Sequence, residues 1–425
     1  MNILVVGSGG REHALCWAFK QSSITRKFFC ANGNAGIGEI AECVAIKPED
    51  ICALAKFAEE NRVDLTFVGG ETALALGIAD EFESRGLKII GASQKAARLE
   101  SSKAFAKDFM ARHNIPTAHY KVADSAERAL EILRAEAFGD EDAPVVIKAD
   151  GLAAGKGVIV AKNRAEAIEA VNAIVSGEIV KQEAATKIVL EECLTGMEVS
   201  FLLFSDGKNF ALMPPARDHK RIGEEDSGPN TGGMGTICDD DLLSPDETRE
   251  IVEKIIKPTL EGAQKEGFPF RGVLFLGLML TEGGAKVLEY NVRFGDPETQ
   301  AILVRLEMDL TEICQAILSQ TLDELPIKWR AGSSACIILA AANYPAKPKT
   351  GDAVQGLEEA NNLESTIVFH SGTAKTESGD FVTTGGRVLG VTARAENLDE
   401  ALRRSYLAVD KISFEGMQYR RDIGK

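Results

Sequence analysis

Within the first ninety residues, strand-like and helix-like patterns alternate with short connections, and that rhythm restricts the fold more than any other feature of the chain. Strand patterns fall at Ile3–Val6, Lys27–Cys30, Leu65–Val68 and Lys88–Ile90, with helices expected from about Arg11, from Pro48 and after Glu71. Parallel strands need crossover connections, so helices between successive strands imply a parallel sheet covered on both faces. Two of these strands end in glycine turns, Gly7-Ser8-Gly9-Gly10-Arg11-Glu12-His13-Ala14 and Val68-Gly69-Gly70-Glu71. A strand that turns on glycine into a helix offers free backbone N–H groups to an anion. The first turn is a defective dinucleotide fingerprint, because Glu12 stands where the last glycine belongs and would repel a pyrophosphate. A monophosphate on a sugar is the better expectation, with Glu71 placed to take sugar hydroxyls, although plain strand-to-helix connections would read the same.

A chain of 425 residues exceeds one core, since cores stop growing at roughly 250 to 300 residues, so several units are expected. After the opening alternation a helical stretch, Ser101 to His113, leads away through Pro116. Strand patterns at Val145–Lys148 and Val158–Ala161, a helix over Arg164–Val175 and a strand at Ile188–Glu191 then suggest a small, separately folding lid. Strands at Val199–Phe204 and Ala211–Pro214, a long glycine-rich loop through Gly235, a helix from Pro245 to about Lys265, strands at Val273–Leu280 and Lys286–Val292, and a helix near Asp309–Ser319 complete the middle. Pro326 and the stretch Trp329–Ser334 mark a boundary, after which strands at Ala335–Ala340, Thr366–His370 and Arg387–Val391 precede a helix capped by Asn397, with Glu400 three residues on.

The chemistry concentrates in three segments. In Leu288-Glu289-Tyr290-Asn291-Val292-Arg293-Phe294-Gly295-Asp296-Pro297-Glu298-Thr299, strand alternation puts Glu289, Asn291 and Arg293 on one face. A carboxylate and an amide oxygen suit Mg²⁺, which takes one or two protein oxygens and leaves the rest to phosphates and water. The arginine suits a carboxylate or phosphate held bidentately, and the turn after it would aim Asp296 into the same space. A half-exposed strand with a polar outer face has the same periodicity. Second, Lys148-Ala149-Asp150-Gly151-Leu152-Ala153-Ala154-Gly155-Lys156-Gly157-Val158 places three glycines between two strands. It fails the P-loop spacing G-x-x-x-x-G-K-S/T, so a flexible flap over phosphates, with Lys148 at its base, is expected. Third, Arg217-Asp218-His219-Lys220-Arg221 runs into Gly228-Pro229-Asn230-Thr231-Gly232-Gly233-Met234-Gly235. Asp218 there suits an ammonium and Lys220 or Arg221 an anion, whereas a solvated ion pair is the plain alternative.

The formal charge of −16, from 48 basic and 64 acidic residues, makes nucleic acid an improbable partner. No run reaches the roughly 18 apolar residues of a membrane span, and Met1 to Gly7 shows no signal segment, so a cytoplasmic location is expected.

Taken together, GGREHA at Gly9–Ala14, KADGLAAGKGV at Lys148–Val158, DHKR and GPNTGGMG across Asp218–Gly235, and RFGDPETQ at Arg293–Gln300 resemble the phosphoribosylamine–glycine ligase family, also called glycinamide ribonucleotide synthetases, of the ATP-grasp superfamily. The resemblance runs from Met1 to near the end, and the motifs stand in the family's order. It implies an α/β fold, α+β overall: a Rossmann-like parallel sheet at 1–101, an ATP-grasp core at 102–326 with a mobile lid at roughly 120–190, and a small C-terminal α/β domain at 327–425. The implied reaction joins glycine to 5-phosphoribosylamine in purine synthesis, with ATP giving ADP and phosphate. The implied partners are those small molecules, Mg²⁺ or Mn²⁺, and a transient contact with the amidotransferase that precedes the enzyme. By resemblance, Lys103, Lys148 and the flap residues Gly151, Gly155, Lys156 and Gly157 meet ATP phosphates. Glu191, Glu192 and Leu194 form the adenine hinge, Glu198 holds the ribose, and Glu289 and Asn291 bind the metal. Gly9, Gly10 and Glu71 hold phosphoribosylamine, and Asp218 and Arg293 position glycine, with Lys220, Gly295 and Asp296 beside them. The chain departs from the family at Gly70, where proline is frequent, and at Arg217, where glutamine is usual.

Overall fold

The computed structural model describes residues 1–152, 157–177 and 187–425, in an α/β architecture. Five parallel strands form the N-terminal sheet in the order Glu42–Val44, Lys27–Asn32, Asn2–Gly7, Leu65–Val68, Ile89–Ile90. Asn2–Gly7 lies central because Ile3, Leu4, Val5 and Val6 are fully buried, two on each face. The strand order turns around between Asn2–Gly7 and Leu65–Val68, so both glycine turns open side by side at the carboxyl edge, where open α/β sheets bind ligands.

Three local expectations shift here. The helix expected at Pro48 is Ile51–Glu60, because the Asp50 side chain accepts from the Ala53 N–H at 3.1 Å and sets the start there. The helix expected after Glu71 divides into Glu71–Ala75 and Ile78–Ser84, parted at Gly77 with φ +89°. The helix expected over Ser101–His113 is Lys103–Arg112, capped by Ser102 through the Phe105 N–H, and a further helix not expected there, Gln94–Ser101, precedes it.

A four-stranded antiparallel sheet follows in the order Tyr120–Ala123, Ile188–Glu192, Val145–Ala149, Val158–Ala161. Helices Ala126–Arg134 and Arg164–Val175 cover it; the second buries Ala167, Ala170, Val171 and Ile174, a one-faced spacing. Their apolar residues form a core of their own.

The third sheet has nine strands. Its order runs Gly284–Asn291, Arg271–Thr281, Met197–Asp206, Ala216–Asp218, Gly235–Asp239, Ser333–Ala340, Arg387–Ala395, Thr366–His370, with Phe210–Leu212 attached to Met197–Asp206. The stretch expected as a loop through Gly235 thus holds strands, including a hairpin of Arg221–Gly223 and Ser227–Asn230. Glycine serves the backbone of these short elements, with Gly228 at φ +76°, and does not exclude pairing. The expected helix from Pro245 to Lys265 is continuous but carries a π-helical turn at Val252–Ile256, just before Pro258, whose missing N–H removes one helical bond. Asn397 caps Leu398–Val409 by accepting from the Glu400 N–H at 3.0 Å, while the Glu400 carboxylate turns to Arg403 and Arg404 and does not reach back. Among the described residues no helix is long and apolar enough to cross a membrane.

Candidate functional site

Three walls meet at the strand Gly284–Asn291, the edge of the large sheet. Tyr290 and Val292 point into the core, where the Tyr290 hydroxyl meets Thr259 at 2.8 Å. Glu289 and Asn291 therefore face the other way, as strand alternation requires. The pairing is irregular: Gly277 opposes Glu289 but Leu278 opposes Val287, so Leu288 is an extra residue. Its carbonyl accepts from Lys148 Nζ at 3.1 Å, which ties the four-stranded sheet to the edge strand. Lys103, at the start of its helix, donates to the Gly151 carbonyl at 3.0 Å, and Asp150 accepts from the Ala104 N–H at 3.2 Å. Gly157 follows in the described part of this segment; Gly155 and Lys156 lie outside the described residues.

The Glu289 carboxyl is held below its usual range: burial pushes it up, but Lys220, Lys148, Lys103 and Arg293 outweigh that. A carboxylate kept ionised among four cations, beside an amide oxygen, fits a hard divalent ion that brings phosphates as its remaining ligands. Among the described residues no cluster of three or more acidic, histidine or cysteine side chains offers a complete protein cage.

Behind Lys148 stands a buried triad. Glu191 lies 2.9 Å from Lys148 Nζ and 2.8 Å from Lys107 Nζ. The Lys148 contact is an ion pair without hydrogen-bond alignment, which leaves Glu191 Oε1 formally unpartnered. Glu192 accepts from the His119 N–H at 2.9 Å and from Lys286 at 3.0 Å, and Leu194 follows, half-buried, in the link to the next strand. Glu198 is exposed and pairs with Lys220 at 2.7 Å.

Asp218 ends its strand with Oδ1 buried and unpartnered, and its carboxyl is pushed up by burial and by Glu298. An unsatisfied buried carboxylate is costly unless a donor arrives. Gly233, at φ +106°, passes so close that a Cβ would sit 2.7 Å from this oxygen. His219, beside it, serves packing: its ring meets the Gly235 carbonyl at 3.2 Å and the Gly424 N–H at 3.2 Å.

Arg293 has all three of its guanidinium nitrogens engaged. It donates to Glu71 at 3.2 Å, to the Phe294 carbonyl at 3.1 Å and to Asn291 Oδ1 at 3.1 Å, and pairs with Glu100 at 2.8 Å. Glu71 is lowered to about 2; burial opposes this, and Arg293 and Arg11 drive it. At the other glycine turn, Glu12 pairs with Arg11 at 2.6 Å. It folds back to accept from the Gly9 N–H at 2.6 Å and fills the space beside Gly69, where a Cβ would collide with it. Gly10 approaches Gln300 and Ser371 closely. Asp296 does not enter the Glu289 space. Its carboxylate accepts from Gln300 at 2.8 Å and pairs with Arg387 at 3.2 Å, because that guanidinium and the helix start at Arg11 draw it the other way. Gly295, just before it, packs against Glu298.

The structure thus brings Lys103, Lys148, Lys220, Glu289, Asn291 and Arg293 around one space, with Asp218 and Glu71 on two of its sides. Sequence reasoning missed Glu100, Lys107, Glu298 and Arg387. Arg387 follows two glycines, a weak signal, and Glu298 stands within the motif Arg293–Gln300 without a role assigned to it; Glu100 and Lys107 gave no signal.

Comparison with known proteins agrees along the whole length. The phosphoribosylglycinamide synthetase family matches in three parts: the N domain over residues 1–100, the ATP-grasp (A) domain over 101–299 and the C domain over 334–425. This chain belongs to that family. Within it, a phosphoribosylamine–glycine ligase of Vibrio vulnificus is 47% identical over 427 residues, covering 100% of this chain and 98% of the relative. The crystal structure of a phosphoribosylamine–glycine ligase from Thermotoga maritima superposes with a TM-score of 0.85 at 33% identity, covering 99% of this chain and 100% of that one. A biotin carboxylase from Campylobacter jejuni shares the fold alone, with a TM-score of 0.73 at 17% identity over 98% of this chain and 92% of its own.

Proposed function

We propose that this chain is an ATP-dependent phosphoribosylamine–glycine ligase, acting in purine synthesis through a glycyl phosphate. The observation that carries the reading is the Glu289 carboxylate, kept ionised beside Asn291 and ringed by Lys220, Lys148, Lys103 and Arg293. Glu289 and Asn291 would hold Mg²⁺ or Mn²⁺, which neutralises the nucleotide phosphates and orients them. Lys103 and Lys148 would add positive charge at the same phosphates, with Glu191, Glu192, Leu194 and Glu198 along the nucleotide. The buried, unpartnered Asp218 oxygen suits the ammonium of glycine.

The glycine carboxylate then attacks the γ-phosphorus, and ADP leaves. Lys220 and Arg293 offset the charge that spreads over the phosphoryl oxygens. Arg293 acts here through its field, since its fork is largely taken by protein acceptors. The amine of phosphoribosylamine, held near Gly9, Gly10 and Glu71, attacks the acyl carbon, and phosphate leaves. Exclusion of water protects the acyl phosphate meanwhile. The test is ADP release with freshly made phosphoribosylamine, varying glycine against alanine, serine and formate. Release dependent on glycine is expected; release without it, or equal release with formate, would sink the assignment. A cytoplasmic location follows from the reading.

A further inference from the structure

We infer that Glu100 is a positioning residue for the metal pair, acting through Arg293 on Asn291. This rests on the metal reading of Glu289 and Asn291 given above. Glu100 lies in the last turn of the helix Gln94–Ser101 and is buried. One carboxylate oxygen accepts from the Val292 N–H at 2.8 Å and the other pairs with Arg293 Nη2 at 2.8 Å. The same Nη2 donates to Asn291 Oδ1 at 3.1 Å. Glu100 therefore grips Asn291 twice: through the peptide that follows it, and through the guanidinium that touches its side chain.

The chemistry of this grip is directional. A guanidinium only donates, so the amide atom facing it is oxygen, and an amide oxygen has two lone pairs. One serves Arg293, and the other remains for a cation. Without a fixed guanidinium, the Asn291 amide is free to turn its NH₂ toward the cation, which ligates nothing. Arg293 stays in place because carboxylates hold it from both sides, Glu71 at 3.2 Å and Glu100 at 2.8 Å. Of the two, Glu100 also holds the strand backbone. Ser102, two residues on, caps the helix that begins with Lys103, so one short joint carries both the phosphate-side lysine and the anchor of the metal-side asparagine.

The experiment is Mn²⁺ binding in the presence of saturating ADP, read by electron paramagnetic resonance on the full chain, with ADP affinity measured separately without metal. Glu100→Gln keeps an acceptor for Val292 but loses the ion pair with Arg293. It is expected to weaken Mn²⁺ binding by about fivefold or more, leaving metal-free ADP affinity unchanged. Added to Arg293→Lys, it should weaken Mn²⁺ little further, because both changes cut one chain of contacts. Unchanged Mn²⁺ affinity in folded Glu100→Gln, or full additivity with Arg293→Lys, overturns the inference. If Glu100→Gln does not fold, Arg293→Met carries the same test, and retained Mn²⁺ affinity there overturns it equally. Glu289→Gln separates the levels. If it lowers Mn²⁺ affinity and Glu100→Gln does not, only the positioning role falls; if it does not lower it, the metal reading falls too.

Discussion

The Lys107–Glu191–Lys148 triad allows a prediction that runs against the intuition that buried ion pairs stabilise. Two ammonium groups share one carboxylate in a space where Lys107 and Glu191 are each about 2% exposed. Lys107 is lowered from 10.5 to about 8, by burial first and by Lys148 next. At 1.36 kcal/mol for each unit, keeping it charged at neutral pH costs the folded state roughly 3 kcal/mol. Lys107→Met removes that cost and still leaves Glu191 paired with Lys148. That figure already nets the attraction to Glu191, so the loss to set against it is the 2.7 Å hydrogen bond to Thr117, worth about 1 kcal/mol. The expected balance is no loss of stability at pH 7, or a gain of up to about 2 kcal/mol. Glu191→Leu should instead cost about 3–5 kcal/mol, because it strands two buried cations. The sign with pH follows from linkage. The unfolded chain holds this proton up to about 10.5 and the folded chain only to about 8, so the parent gains stability as pH rises between them. The variant's advantage should therefore shrink at pH 9.5. A chain with several cores need not unfold in one step, so the measurement is hydrogen exchange of the Lys103–Arg112 and Ile188–Glu192 backbones at both pH values. A loss above about 1 kcal/mol, the size of one hydrogen bond, for Lys107→Met at pH 7, or an advantage that persists at pH 9.5, would refute the reasoning.

Glu289→Gln and Asn291→Ala are expected to fold as the parent does but to lower glycine-dependent ADP release at least about 100-fold, since a metal's share of charge stabilisation is worth several kcal/mol; near-parental rates in either would remove the metal assignment. His13, His219 and His370 are lowered by burial to about 3, 4 and 4, so each is neutral when folded and gains a proton on unfolding below about pH 6.5. Stability should be complete above that pH and fall by roughly 2 kcal/mol per histidine by pH 5; denaturant midpoints unchanged between pH 7 and pH 5 would contradict this. Asn397→Ala removes a cap bond of 3.0 Å and should cost the Leu398–Val409 helix about 1 kcal/mol, read as faster exchange of its first turn.

The alternating opening segment was legible because a buried parallel strand must be apolar throughout, and Ile3 to Val6 satisfies that in any reading. The face shared by Glu289 and Asn291 was legible for the same kind of reason, since a strand has a fixed period of two. Where Asp296 points was not, because its direction depends on Arg387, some ninety residues away in sequence. The partners of Glu12 were not legible either, because its backward turn onto Gly9 belongs to helix capping, which a phosphate-centred reading of the motif does not weigh. Glu100 and Lys107 were invisible because their partners, Val292 and Arg293 for the first and Glu191 for the second, lie far off in the sequence. The short strands Ala216–Asp218 and Ser227–Asn230 hid among glycines that describe backbone freedom better than pairing.

The nine-stranded sheet ties the far end of the chain to the strand Gly284–Asn291 through successive strand pairings. Strand Gly235–Asp239 pairs with Ser333–Ala340 over five residues, and Ser333–Ala340 is buried throughout. A chain cut near residue 326 would leave Gly235–Asp239 as a raw edge, with unpaired N–H and C=O groups above a bared apolar face, the arrangement that recruits strands from neighbouring molecules. The break between the matched A and C segments is therefore a poor place to divide the protein for expression. The two halves made separately should aggregate alone and recover solubility when made together, each serving as the other's missing edge.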